Sequence, residues 1–430
     1  MEVLNLSAVS MNGEMERNPA FLKRIKLNKV MISVKEAFQL ILSNVPVMSP
    51  EKCPFAEATG RTLRVTVSAD REMPPYDRVM MDGIAASSEA FLGTGQVRLQ
   101  IQGHQPAGVS ANTLLDSTSC LEISTGAVLP HGADCVIPVE ELEIVDGVAV
   151  VSEGAVVRAG HHIHRQGSDR QQGEALLHAG MRLGCKEVAV AASCGAVELS
   201  VSKIPRVGIV STGDELVDVG TKPKPHQIRR SNTHSLSAAL EPALGLAQMA
   251  HLCDEPRAIR QGLADLLDRS DALILSGGVS KGKKDYLPGM LESQGVTPIF
   301  HWVAQRPGKP LWFGIGPRSE PVFALPGNPL SSLVCFHRYV VPALEKMAGR
   351  KPSTVAQQQP LIEACEMKPN LTIFLPAQVI SNKDGCGVKP APAANSGDFA
   401  GVLGTDGFIE LPAGKGTLPA GSVLPFHPWL

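Results

Sequence analysis

The sequence predicts a multidomain protein of the α/β plus β class: a doubly wound α/β domain, an inserted β module, an elongated N-terminal domain and a small C-terminal β-barrel-like domain. Three observations lead there. After Pro205, short apolar runs alternate with helix-like segments, the pattern of a doubly wound sheet. On both sides of that stretch, short β-like runs are broken by Gly and Pro, the pattern of β modules. And 430 residues exceed what one hydrophobic core usually organises, so about two to four domains are expected.

Residues 1–32 mix Glu14, Glu16, Arg17, Lys23, Arg24 and Lys26 with few apolar residues. They read as a flexible extension rather than a signal peptide, with Met31 an alternative start. Ser33-Val34-Lys35-Glu36 is a capping box opening an apolar-periodic helix that Pro46 and Pro50 stop. Residues 33–57 and 159–204 are assigned to one discontinuous elongated domain, with residues 58–158 inserted as the β module. Leu63–Val67 and Val97–Ile101 are strand candidates in that module. Val188–Ala191 and Val197–Val201 are the clearest β-like runs after it.

In the α/β domain, residues 205–347, Val207–Val210, Ala272–Leu275 and Val322–Leu325 read as buried strands, and Leu246–Met249 as a further one. Asn232–Leu244, Pro256–Asp268, Asp285–Ser293 and Leu330–Lys346 read as helices. In residues 348–430, Leu371–Leu375, Gly407–Leu411 and Val423–Phe426 fit a small β domain.

Composition excludes several function classes. A net charge of −2 gives no basis for general nucleic-acid binding, so any basic site is local. No uncharged apolar stretch approaches the ~18 residues of a membrane span. Nine cysteines from Cys53 to Cys386 contain no CxxC pair, which points to a reduced, cytoplasmic chain with mostly buried thiols and no structural zinc. His161, His162 and His164 read as solvated loop histidines rather than a metal cluster.

Three glycine-rich turns follow the three clearest strands: Ser211-Thr212-Gly213-Asp214-Glu215, Ser276–Tyr286 and Leu325-Pro326-Gly327-Asn328-Pro329. Right-handed crossovers place such loops on one sheet edge, where these sheets bind ligands. Gly277, Gly278 and Gly282 let backbone N–H groups approach phosphate oxygens, and Ser280 adds a hydroxyl. Glu215 and Asp285 on neighbouring loops suit Mg²⁺ held against phosphate. Taken alone, Asp285 fits a helix N-cap and Glu215 a solvated loop acid. Arg306-Pro307-Gly308-Lys309-Pro310 is a stiff basic turn suited to a small oxyanion, or a surface turn.

In this order the motifs resemble the molybdopterin molybdenumtransferase family, the insertases of molybdenum-cofactor biosynthesis, to which the gephyrin E-domain belongs. The pieces that carry the resemblance are Pro74-Pro75-Tyr76-Asp77 with Met81-Asp82-Gly83, Thr125-Gly126-Ala127 with Gly132-Ala133-Asp134, Ser211–Leu216, Gln227-Ile228 with Ser231-Asn232, Ser276–Ser280 with Asp285-Tyr286, Pro307-Gly308-Lys309-Pro310, and Leu325–Pro329. The resemblance runs from about Ser33 to Leu430. The resemblance implies a four-domain, cytoplasmic enzyme. Adenylylated molybdopterin and molybdate would give molybdenum cofactor and AMP, with Mg²⁺. It also implies a head-to-tail homodimer whose cleft lies between the α/β domain and the partner's inserted β module.

By the same resemblance, Asp82, Glu215 and Asp285 match the family's catalytic and metal-binding acids. Thr125, Thr212, Gly213, Ser231, Asn232, Gly277, Gly278, Val279, Ser280, Gly282, Arg306, Pro307, Lys309, Pro326, Asn328 and Ser331 match substrate-binding positions. Transient contact with molybdopterin adenylyltransferase and with cofactor acceptors follows, without nucleic acid or membrane. The sequence departs from the family pattern at Arg78-Val79, where Asn-Ser is usual, at Ile84, where an aromatic is common, and at Arg230, where Asp is frequent. Lys281 and Lys283 replace an apolar residue and often an acid. The added charges bear on anion binding. An adenylyltransferase-like enzyme sharing only the α/β domain, or a non-catalytic scaffold, are the alternatives. The full-length match and the retained acids argue against both.

Overall fold

The computed structural model describes residues 31–93, 95–240, 244–278, 287–352, 357–382 and 385–429. The chain forms two compact units. One comprises Met1–Glu51, Gly60–Arg64 and Ser200–Leu430, and the other Lys52–Thr59 and Val65–Leu199.

The first unit is built on a six-stranded sheet in the order Leu246–Leu252, Arg206–Thr212, Ala272–Ser276, Pro321–Leu325, Trp312–Ile315, Thr297–His301. The first four strands pair in parallel and the last two by antiparallel contacts. The chain moves from Arg206–Thr212 to one neighbour and then to the other, which makes that strand the topological switch point. Sequence patterning anticipates the four parallel strands but not the other two. Pro298 and Gly314 obscure their alternation, and the register shifts between Pro298 and Phe300. A proline is tolerated there because the strand lies at the sheet edge.

Period-two alternation divides the strands between two cores. Val207, Ile209, Ala272, Ile274, Phe323 and Leu325 pack in one core, with Ala37 and Ile41 of helix Val34–Asn44. Val210, Leu273, Leu275, Val322 and Ala324 pack in the other, against Ile259, Leu263, Leu266 and Leu267 of helix Pro256–Arg269. Each buried Val, Leu, Ile or Phe side chain among them contributes about 1.5–3 kcal/mol. The capping box at Ser33 is present: the Glu36 backbone N–H donates to Ser33 Oγ at 3.2 Å, and the Ser33 N–H to Glu36 Oε2 at 2.8 Å.

The long apolar helix after Pro329 is one run in three segments. Pro329–Cys335 and Val341–Met347 are α-helical, and Phe336–Val340 between them is a π-helical turn. Pro342 has no N–H to donate to a preceding carbonyl, and the wider turn sits immediately before it. The helix at Asn232 is shorter than the sequence suggests: it ends at Ala238, four residues before the helix-breaking Pro242. The helix expected from Asp285 is described from Leu287 to Ser293.

The C-terminal segment also belongs to this unit. Its sheet orders Gln305–Arg306, Thr372–Asn382, Gly407–Leu411, Val423–Pro428 and Gln357–Pro360, with Gly385–Pro390 pairing Thr372–Asn382. Gln305 and Arg306 pair in parallel with Thr372 and Ile373. The basic turn therefore starts from an edge strand of the C-terminal sheet.

The second unit holds another six-stranded sheet, ordered Cys135–Pro138, Gly83–Ala86, Ser119–Ile123, Arg98–Gln105, Val148–Val151, Leu142–Val145. Two expected strands differ. Val188–Ala191 lies inside a helix, Cys185–Ser193, rather than a strand. Its Val-Ala alternation imitates period two, but Gly184 donates to Glu187 Oε2 at 3.0 Å and starts a helix rich in alanine. Of Leu63–Val67, only Val67 enters a strand, Val67–Ser68; Leu63 makes an isolated bridge to Val201 within the first unit. Six of the nine cysteines are buried, and none is in a disulfide. No helix among the described residues is long and apolar enough to cross a membrane.

Candidate active site at the sheet edge

The register brings the three glycine-rich turns together. Ser211 lies opposite Ser276, and Ser276 opposite Leu325. The three strands thus end level, and their loops leave the same edge. Gly213, Gly277 and Gly278 have φ of +129°, +104° and +70°, values that side chains beyond glycine rarely adopt. A Cβ on Gly277 would lie 3.5 Å from Thr212 Oγ1, and one on Gly327 3.6 Å from Gly277 Cα, so the turns nest closely.

Asn232 ties two of them. Its Nδ2 donates to Ser276 Oγ and to the Gly327 carbonyl, both at 2.8 Å. Ser231 is the residue preceding that short helix and accepts from Ser235 N through its carbonyl. The Gly277 N–H donates to the Leu325 carbonyl at 3.1 Å. Pro326 lies between the last strand and Gly327. Asn328 precedes helix Pro329–Cys335, and its Nδ2 donates to Ser396 Oγ at 2.7 Å. Ser331 is buried in the first turn of that helix.

Glu215 is exposed just beyond Gly213. Among the described residues its carboxylate has no ion-pair partner. Its oxygens lie 2.5 and 2.6 Å from where a Gly213 Cβ would stand, so the carboxylate folds over bare backbone. Carboxylate oxygens of this kind suit Mg²⁺, which retains waters and takes further ligands from substrate phosphate. Beside Glu215, Asp214 accepts from Asp254 N at 3.0 Å, and His251 Nδ1 lies 2.9 Å from Ser211 Oγ. Burial first, then the nearby Arg230 guanidinium, holds the His251 pKa below its ordinary value. Arg230 itself pairs with Asp218 at 2.9 Å, so its charge is met locally.

The basic turn is exposed at Arg306 and Lys309 and buried at Gly308. Among the described residues neither cation enters an ion pair. The Lys309 carbonyl accepts from Val303 N at 2.9 Å, closing the turn. A Cβ on Gly308 would lie 3.7 Å from the Ser331 carbonyl. That contact puts the turn beside the start of the helix following the third glycine turn.

Asp82 and Thr125 lie in the second unit, where they meet: the Thr125 N–H donates to Asp82 Oδ1 at 2.7 Å. Asp77 is occupied by Arg165 and the Gln166 N–H. Arg78 Nη2 is 3.0 Å from His164 Nδ1, and His164 Nε2 is 2.8 Å from Asp169. Among the described residues no group of His, Cys, Asp and Glu forms a metal cluster. Asp285, Val279, Ser280, Lys281, Gly282 and Lys283 lie outside the described residues.

Residues 32–195 match the family described as MoeA N-terminal region (domain I and II), 208–346 the "Probable molybdopterin binding domain", and 360–429 the MoeA C-terminal region (domain IV). A molybdopterin molybdenumtransferase from Synechocystis sp. is 38% identical over 93% of this chain and 100% of its own length. The chain belongs to the MoeA family. A molybdopterin molybdenumtransferase from Synechococcus elongatus is 32% identical over 91% of the chain and 98% of its own. A solved molybdopterin biosynthesis MoeA protein from Pyrococcus horikoshii superposes with a TM-score of 0.79 at 27% identity, over 93% of the chain and 100% of its own.

Within this MoeA-family frame, several contacts escaped sequence reading. Ser396 sits in a turn-rich stretch, Ala394-Asn395-Ser396-Gly397, whose composition signals a loop but not its contact with Asn328. Gln305 is a single polar residue after Val303-Ala304 and reads as an ordinary strand position. His251 and Ser211 each look unremarkable until strand register sets them side by side.

Proposed function

We propose that this chain is a molybdopterin molybdenumtransferase that inserts molybdate into adenylylated molybdopterin with Mg²⁺-dependent release of AMP. The observation that carries the reading is the level edge of three glycine turns, two of them tied by Asn232, beside two exposed cations on a fixed turn, in a chain of the MoeA family. Thr212, Gly213, Ser231, Asn232, Gly277 and Gly278 line the edge where phosphate oxygens would meet backbone and hydroxyl donors. Arg306 and Lys309, with Pro307, Pro326, Asn328 and Ser331, form the oxyanion side, where a tetrahedral dianion gains charge-assisted hydrogen bonds. Preorganised donors of this kind stabilise charge as it builds on the phosphate being cleaved. Glu215, with Asp82 and Asp285, would hold Mg²⁺, which supplies neutralisation of phosphate oxygens when bound.

The reading includes a homodimer in which Asp82 and Thr125 serve the partner's sheet edge, and the five-segment domain division given by the sequence. Purified protein incubated with adenylylated molybdopterin, molybdate and Mg²⁺ should release AMP. No AMP above the protein-free rate, with or without molybdate, would sink it.

A further inference from the structure

We propose that Gln305 is a positioning residue for oxyanion binding: its buried amide locks the Arg306–Lys309 turn to the helix that begins at the third glycine turn. Gln305 is fully buried. Its Nε2 donates to the Gly308 carbonyl at 3.1 Å and lies 3.4 Å from Cys335 Sγ. Its Oε1 accepts from the Tyr339 hydroxyl. Tyr339, itself fully buried, stands on the π-helical turn Phe336–Val340, and Cys335 one residue before that turn. Both belong to the helical run that starts at Pro329, next to Asn328.

One amide therefore joins the middle of the basic turn to the helix carrying Ser331. Gly308 completes the fit: a Cβ there would come within 2.5 Å of Cys335 Sγ and 2.6 Å of Gln305 Nε2, so only glycine lets the turn sit down on this pair. An apolar residue of similar length would fill the space at Gln305 without the cost of burying an amide. What the amide adds is direction, since it bonds a carbonyl between the two cations. Strand pairing alone does not supply this, because it reaches only Gln305 and Arg306.

The inference rests on Arg306 and Lys309 being the oxyanion's ligands. Its test titrates the full-length protein with sodium molybdate calorimetrically and measures AMP release at varied molybdate and varied adenylylated molybdopterin. Gln305→Met should weaken molybdate binding and raise its KM about tenfold, as a small misplacement of binding groups does. The KM for adenylylated molybdopterin should move less than about twofold, a split that general loosening of the fold would not give. Tyr339→Phe, which removes one hydroxyl, should shift molybdate the same way by about threefold. It decides the matter if Gln305→Met does not fold. Wild-type molybdate affinity in the variants, or equal weakening toward both substrates, overturns the inference. A wild type that binds no molybdate overturns the functional reading instead.

Discussion

Glu215, beyond the first glycine turn, and the pair Arg306–Lys309, beside the helix that follows the third, are held in opposite ways. The cations project from a turn whose central glycine rests on Gln305 and Cys335, and whose first residue pairs with the C-terminal sheet. Glu215 rests on a glycine with no ion-pair partner among the described residues. The difference fits the roles proposed for each. A small oxyanion is recognised by direction and distance, which favours donors fixed in advance. A hydrated Mg²⁺ takes few protein ligands and several waters, so its carboxylate can adjust.

The largest effect should come from breaking the ground beneath the fixed side. Next to Tyr339, Arg338 joins a partly buried cluster with Glu410 and His427, with Arg338 Nε 2.8 Å from Glu410 Oε2 and His427 Nε2 3.3 Å from the same oxygen. Burial alone would raise the Glu410 pKa, but His427 and Arg338 outweigh it and hold it below the ordinary value. Glu410→Leu removes the carboxylate that meets the partly buried Arg338 and should destabilise the first unit by about 3 kcal/mol, read from urea denaturation. Glu215→Leu, on the loose side, should cost under about 0.5 kcal/mol. Similar losses for the two would erase the contrast.

The same ground should make stability fall in acid. Burial holds His337 at about 4, and burial also lowers His427. Both take up a proton less readily in the fold than in the unfolded chain, where the ordinary value is about 6.5. Their contribution is complete above about pH 6.5 and is lost as pH falls toward the folded values. Glu410 acts in the same direction lower down: its contribution is present above its unfolded value and lost as pH falls through its depressed folded one. His337 alone contributes on the order of 3 kcal/mol of this slope. Denaturation midpoints should decline steadily from pH 6.5 to 4, and His337→Asn should flatten the profile. A flat wild-type profile across that window contradicts the assignment.

Direct removal of a fixed cation comes next in size. Lys309→Ala should lower AMP release by about a hundredfold, the scale of one preorganised donor. The thermal midpoint should hardly change, because the side chain is exposed. A variant that keeps more than half of wild-type turnover would remove Lys309 from the oxyanion side.

Much of this edge was legible in the sequence because it is carried by glycine, proline and short apolar runs, whose effect on the backbone is local. Val207–Val210, Ala272–Leu275 and Val322–Leu325 are strands where their composition puts them, and right-handed crossovers place their loops together. What holds the loops was not legible. Asn232 to Gly327 spans 95 positions and Glu410 to Arg338 72, and nothing local records such partners. Val188–Ala191 failed for another reason: alternating valine and alanine fits a strand by period and a helix by alanine content, and the Gly184–Glu187 start decides between them. Arg230 was read from its charge alone, while the fold supplies Asp218 beside it.

Asn232→Ala sharpens the contrast at intermediate scale. It removes both hydrogen bonds that join the second and third glycine turns, and Ser276 Oγ, buried with its residue, loses a donor. The expected cost is about 1–3 kcal/mol in stability and about tenfold in kcat/KM for adenylylated molybdopterin, with molybdate affinity less affected. An equal loss toward molybdate would mean that Asn232 positions the basic turn as well as the glycine edge.

The smallest change tests the loose side by itself. Glu215→Gln keeps size and shape but removes the negative charge, and its carboxylate has no ion-pair partner among the described residues to be disturbed. Folding stability and molybdate affinity should therefore stay within error of wild type. The Mg²⁺ concentration for half-maximal AMP release should rise several-fold, and excess Mg²⁺ should restore most of the rate, because the remaining oxygen ligands come from phosphate and water. If added Mg²⁺ restores nothing, Glu215 is not an adjustable metal ligand but a fixed part of the catalytic geometry, and it belongs with Lys309 rather than opposite it.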